Sequence, residues 1–365
     1  MTTSDVAAGQ VLIGGTYGVE LSRATASRVE AGHLGGLILM GRNIESPAQV
    51  RTMLSHATRA AAGGLPPPLL GVDQEGGRVA RLKAPILQLP PARTLGSRDD
   101  EQLTRRAYQT LGRQLAALGF TVDFAPVLDV DDGPEREVIG DRSFSGEPDV
   151  ASRHGAAAVA GLLAAGLCPC GKHFPGHGVT ACDSHASLPV VDKSLAELGA
   201  RELRPFAAAI ASGLPMVMPA HVVYRGVDAE HPATFSRALL VDVLRKELGF
   251  EGVVITDDLK MGAVVDAGGA VDVAREAMMA GADLLLCCHD ESLQEAIREA
   301  LADEARRSDA FAKRLEDAAE RSVALRRRFV PGPVRPEELD EQLSSEEISE
   351  LELALDGDLG KRRHG

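Results

Sequence analysis

The sequence contains no tryptophan, and aromatic residues fill only 3% of its 365 positions. That scarcity argues against a base-stacking surface for single strands and against a wide aromatic sugar platform. Positive charge is also in deficit. Lys plus Arg number 39 against 53 for Asp plus Glu, a formal charge of −14. That sign disfavours bulk attraction to nucleic acid or anionic membrane, so neither is expected as a partner. No apolar run approaches the ~18 residues of a spanning helix. The opening stretch, MTTSDVAAGQ, lacks the basic and apolar regions of a secretory signal. The five cysteines, Cys168, Cys170, Cys182, Cys287 and Cys288, are odd in number, which fits a reducing compartment. A cytoplasmic location is therefore expected. The rest is ordinary for a globular chain, 44% hydrophobic and 25% charged, and long enough to bury a large core.

Short apolar runs alternate with helical patterns. The runs are VLIGG from Val11, GGLILM from Gly35, PPLLGVD from Pro67, VDFAPVLDV from Val122, LCPCGKHF from Leu167, MVMPAHV from Met216, GVVITDD from Gly252 and DLLLCC from Asp283. Most are continuously apolar, as parallel strands covered on both faces must be. Helical patterns between them start at Ser46, Glu101, Ser194 and Ser236, and Ser46-Pro47 reads as an N-cap followed by proline at the first turn. Eight strand–helix units predict a (β/α)8 barrel, an α/β fold, over residues 1–329. No dinucleotide fingerprint follows a strand, which weighs against a doubly wound open sheet. Residues 330–365 are rich in proline and acids and predict a helical, partly frayed extension.

Chemistry gathers at the C-terminal ends of barrel strands, and polar residues stand there. The third run ends at Asp73, followed by QEGGRVARL with Arg81. The fourth ends at Asp129, before a loop containing Arg142. The fifth ends at Lys172-His173, the sixth carries His221, and the seventh ends at Asp257-Asp258. Charged groups seldom end buried strands without partners. One alone reads as a salt-bridged strand end, whereas several at one mouth imply a polar pocket. In the seventh run, alternation sends one aspartate toward the barrel axis and the other away, and periodicity leaves open which. Gly76-Gly77 predicts a tight turn.

The densest polar stretch is KHFPGHGVTACDSHASLP, from Lys172 to Pro189. Within it Asp183 lies two residues from His185. A carboxylate bonded to one ring nitrogen would fix the tautomer and raise the imidazole pKa toward neutrality, which suits proton transfer. A competing reading is a metal-dependent hydrolase, because Cys170, His173, His177, Cys182, Asp183 and His185 are all able to bind zinc. The spacing contains neither a paired C-x-x-C nor an H-E-x-x-H helix, so no metal or organic cofactor is expected.

Six motifs in order, LILMGRNI, GVDQEGGRVARL, GDRSF, KHFPGHG with DSHASLP, PAHVVY and ITDDLKMGA, give the chain a family resemblance from about Val11 to Phe329. It resembles the glycoside hydrolase family 3 β-N-acetylglucosaminidases of the single-barrel bacterial, NagZ-like branch. The resemblance implies a retaining exo-β-N-acetylglucosaminidase. By position in the motifs, Asp257 is the implied nucleophile, His185 the general acid/base and Asp183 its dyad partner. Asp73, Arg81, Arg142, Lys172 and His173 are the implied sugar-binding residues. Peptidoglycan fragments, N-acetylglucosamine linked to 1,6-anhydro-N-acetylmuramic acid with or without peptide, are the implied substrate, and cell-wall recycling the setting. A neutral histidine base would not repel an anionic acceptor. A phosphorylase or a broader β-glycosidase using the same residues is therefore the alternative, beside a catalytically silent sugar-binding protein.

Overall fold

The computed structural model describes residues 3–61, 64–131, 133, 138–178, 188–260, 269–330, 339 and 343–356. Eight parallel strands close into a barrel in which chain order is also spatial order. They are β1 (Leu12–Gly15), β2 (Gly36–Leu39), β3 (Leu69–Val72), β4 (Val122–Asp123), β5 (Cys168–Phe174), β6 (Met216–Pro219), β7 (Val253–Asp258) and β8 (Leu284–Cys287). Each arises from one of the apolar runs. The fourth run departs from its predicted length: only Val122 and Asp123 form regular ladder, with one further bridge from Val127 to Lys172. Between them the Ala125 and Pro126 carbonyls still accept from the Cys170 and Lys172 N–H groups at 2.8 and 3.2 Å, but Pro126 has no N–H to return.

Alternation along the strands sorts two cores. Ile13, Ile38, Leu69, Val122, Ile255, Leu284 and Leu286 point into the barrel. Leu37, Leu39, Leu70, Val72, Val254 and Leu285 point outward onto the helices. This period of two explains why the runs carry no polar positions. The helix Asp309–Arg328 crosses the N-terminal end of the barrel. Its Arg326 donates to the carbonyls of Gly35 at 3.2 Å and Pro66 at 3.4 Å. Arg314 bonds Asp283 at 2.8 Å, just before β8. One end of the barrel is thereby capped, and the strand C-termini form the open mouth.

The helical expectations are met with differences of detail. Ser46 accepts from the Gln49 N–H at the start of helix Pro47–Ala60. The Ser194 pattern splits into helices Leu195–Ala200 and Leu203–Ala211. The Ser236 pattern winds as a π-helix, Ala238–Glu247. In the C-terminal extension, helix Glu346–Asp356 buries Ile348, Leu351 and Leu355. Arg98 donates to its last-turn carbonyls at Ala354 and Leu355, which places a cation at the negative end of that helix. Among the described residues, no helix is long and apolar enough to cross a membrane.

Candidate active site

The mouth is built outward from β3. After Val72 the chain turns through Asp73 into a hairpin, Gln74–Gly76 against Val79–Ala80. Gly76 and Gly77 have φ of +103° and +55° and make the turn, as the Gly-Gly pair predicts. The hairpin presents Asp73 and Glu75 to one neighbour. Lys172 Nζ, on β5, donates to Asp73 Oδ1 at 2.9 Å and to Glu75 Oε1 at 2.7 Å. Arg142 grips Glu75 with two parallel bonds of 2.8 Å, from Nε and Nη2. Arg81 lies 3.6 Å from Asp73. Burial alone would raise the Glu75 carboxyl, but Arg142 and Lys172 outweigh it and hold the group well below the usual carboxylate range. Burial would likewise lower Lys172, and Asp73 with Glu75 reverses that, so its ammonium is secured.

On the next wall, Asp129 is fully buried and accepts from His173 Nδ1 at 2.8 Å and from the His177 N–H at 2.6 Å. Asp129 thus occupies one nitrogen of His173 and leaves Nε2 for a ligand. Burial lowers His177 to about 4, with His173 adding to the effect. That ring is neutral near pH 7.

At the end of β7 the open question of the two aspartates resolves. Ile255 points inward, and Asp257 follows two residues on with its carboxylate half-buried in the mouth. Its Oδ1 accepts the Asp258 N–H at 2.8 Å. Burial would raise Asp257, but His221, His173, that N–H and Lys172 together hold it below the ordinary value. Asp258 instead bends to the start of the β8 loop, where Oδ1 accepts the Cys288 N–H at 3.1 Å. Burial raises its carboxyl. His221 stands behind both. Its Nδ1 is 2.8 Å from the Thr234 hydroxyl and its Nε2 is 3.3 Å from the Asp258 carbonyl.

Several of these groups line one cavity of about 550 Å³. It contains Asp73, Arg81, Arg142, Lys172, His173 and Asp257. A larger cavity, about 620 Å³, lies beside the capped end around Asp283 and several arginines. The mouth is the better site, because strand C-termini converge there and bring an ionised carboxylate together with fixed donors. Glu75 was not singled out from the sequence. Its signal was its spacing: two residues after Asp73 in an extended segment, it shares that residue's face. Lys260 and His289 also reach the cavity from the β7 and β8 loops. The LILMGRNI motif serves as a tie. Arg42 donates to the Cys288 carbonyl at 2.6 Å, and Asn43 donates to those of Thr16 and Gly18.

Asp183 and His185, with Cys182, lie outside the described residues. Among the described residues no three His, Cys, Asp or Glu side chains converge as a metal-binding set. His173, one of the residues named above as able to bind zinc, bonds Asp129 through Nδ1.

Residues 5–325 match the glycosyl hydrolase family 3 N terminal domain. The β-hexosaminidase of Thiobacillus denitrificans is 41% identical over 288 residues, covering 77% of this chain and 78% of that protein. Among solved structures, NagZ from Neisseria gonorrhoeae superposes with a TM-score of 0.80 at 32% identity, over 96% of this chain and 97% of that one. That protein has also been solved in complex with N-trifluoroacetyl-D-glucosamine, at a TM-score of 0.78 and 33% identity over the same shares, 96% and 97%. A family 3 β-N-acetylglucosaminidase from Paenibacillus sp. superposes at 0.91 with 36% identity, over 98% of this chain and 68% of that one.

Proposed function

Because this chain belongs to glycosyl hydrolase family 3 and is a β-N-acetylhexosaminidase, we propose that it is a retaining exo-β-N-acetylglucosaminidase with Asp257 as nucleophile. One observation carries the reading: an ionised, half-buried Asp257 faces a cavity whose other walls are fixed hydrogen-bonding groups. Lys172, Arg142, Arg81 and Asp73 are held in one ion-pair network with Glu75. Such preorganised donors and acceptors suit the hydroxyls and acetamide of a terminal N-acetylglucosamine. His173, fixed by Asp129, offers its remaining nitrogen to the same sugar.

Asp257 attacks the anomeric carbon through an oxocarbenium-like transition state and forms a glycosyl-enzyme. His185, paired with Asp183, protonates the leaving oxygen and then, neutral, deprotonates the water that releases the sugar. Most retaining enzymes use two carboxylates for these roles. The assignment of the dyad rests on the family motif. The substrate proposed is a peptidoglycan fragment, N-acetylglucosamine on 1,6-anhydro-N-acetylmuramic acid with or without peptide, processed in the cytoplasm during cell-wall recycling.

Product analysis tests this. An aryl β-N-acetylglucosaminide, incubated with and without phosphate beside the matching β-glucoside, should release free N-acetylglucosamine with little glucoside turnover. Sugar 1-phosphate would make the enzyme a phosphorylase. No turnover of either glycoside would sink the proposal.

A further inference from the structure

We propose that Asp123 is a positioning residue of the sugar pocket, acting through Gln74 on the backbone that aims Asp73, Glu75 and Arg81. The inference rests on the sugar-binding reading above and adds a residue that does not itself line the cavity.

Asp123 closes β4, opposite Val72 of β3, and is fully buried. Its Oδ1 accepts the Gln74 N–H at 2.9 Å. Gln74 lies between Asp73 and Glu75, so this one bond fixes the peptide from which both carboxylates project. Gln74 is itself buried, and its Oε1 accepts the N–H groups of Arg81 at 2.8 Å and Leu82 at 2.9 Å. Its Nε2 donates to the Leu82 carbonyl at 3.1 Å. Both ends of the hairpin are therefore tied to one amide, and that amide's backbone to Asp123. The ion pairs of Lys172 with Asp73 and Glu75 depend on this register.

The other oxygen of Asp123, Oδ2, is buried and has no hydrogen-bond partner among the described residues. An ionised carboxylate would need more than one bond in such a place. The groups facing it are Asp73 and Glu75 from the hairpin, Lys172 from β5 and Tyr108 from helix Glu101–Leu118. Two are anions, one is a cation and one is neutral. Burial accordingly pushes the Asp123 carboxyl up to about 8, against the pull of the Gln74 N–H and Lys172. At neutral pH Asp123 accepts from Gln74 without adding a third negative charge beside Lys172. Above that range it becomes an anion that competes with Asp73 and Glu75 for the same ammonium.

The test compares wild type with Asp123→Asn and Asp123→Ala, using KM for an aryl β-N-acetylglucosaminide and the competitive Ki of N-acetylglucosamine from pH 6 to 9. Wild-type Ki should rise on the order of 3–10-fold between pH 7 and 9. Asp123→Asn keeps an acceptor and cannot ionise, so it should match wild type at pH 7 and stay flat above it. Asp123→Ala leaves the Gln74 N–H unpaired and should raise Ki and KM about 10-fold at every pH. In both variants, the dependence of kcat/KM on leaving-group pKa should match wild type. An alkaline rise of Ki in Asp123→Asn equal to that of wild type would overturn the proposal. So would a flat wild-type profile, or an Asp123→Ala protein that melts lower but binds the sugar normally. If the alanine variant does not fold, the asparagine profile decides alone. An active wild type with unaltered variants sinks this inference only, whereas an inert wild type sinks the sugar-binding reading and this inference with it.

Discussion

Glu75 shows how much one side chain carries at this mouth. Its carboxylate is shared between Lys172 and both arms of Arg142, so replacing it leaves Arg142 without a carboxylate and Lys172 with Asp73 alone. Breaking a buried pair from one side costs roughly 3–5 kcal/mol. Glu75→Gln should lower stability at pH 7 by about that amount and raise KM by about 10–100-fold through the unpaired Arg142 and the weakened hold on Lys172. The pH dependence has a definite sign. The folded pKa is depressed, so the stabilisation is complete above the ordinary carboxylate range, ~4.3. It is lost as pH falls below that range. Thermal melts from pH 3 to 7 should show an acid-side loss in wild type that Glu75→Gln shares only in part. Equal slopes in both proteins would contradict the ion-pair account. At this scale the sequence was partly legible. Asp73, Lys172, His173 and Asp257 stood out because a charge at the end of an apolar run is costly. Glu75 did not stand out, since in DQEGG it reads as one more polar residue of a turn. Only the folded hairpin shows that it faces Lys172.

The hairpin that carries Glu75 is the element most exposed to test. Gly76 has φ of +103°, and a Cβ there would lie 2.8 Å from Leu89 Cβ and 2.9 Å from the Pro90 carbonyl oxygen. Gly76→Ala combines a disfavoured backbone with a steric overlap, together worth about 1–3 kcal/mol. Because the turn joins Glu75 to Arg81, KM should rise while the leaving-group dependence of kcat/KM stays put. An unchanged KM with a lowered melting temperature would separate the hairpin from sugar binding. The barrel strands were legible as continuous apolar runs, because burial on both faces removes polar positions. The hairpin was not, since its second strand, Val79–Ala80, is two residues long and a pattern of alternation needs more. Pro126 hid the shortness of β4 in the same way, by sitting inside a run whose hydrophobicity continues past it. In β7, alternation predicted a split between the two aspartates, and the direction of that split came only from the inward phase of Ile255.

Across the whole molecule, the site exists only when the barrel is closed. Asp73, Arg142, Lys172 and Asp257 come from the ends or following loops of β3, β4, β5 and β7, which are far apart in sequence. Closure at the other end, by Arg326 and Arg314 of the helix Asp309–Arg328, directs the accessible chemistry to this mouth. The order of the eight strands could be read from their count and spacing, because parallel connections have one favoured hand. The distances among the side chains could not, because they depend on shear and on loop geometry. The central claim is that Asp257 is the group in this mouth that bonds to the sugar. The most direct test is to incubate the enzyme with a 5-fluoro N-acetylglucosaminyl donor that slows release of the intermediate, then digest it and map the adduct by mass spectrometry. The account predicts a single sugar attached to the peptide containing Asp257, and none in Asp257→Ala. A sugar on any other side chain, or turnover of the donor by Asp257→Ala at the wild-type rate, would contradict it.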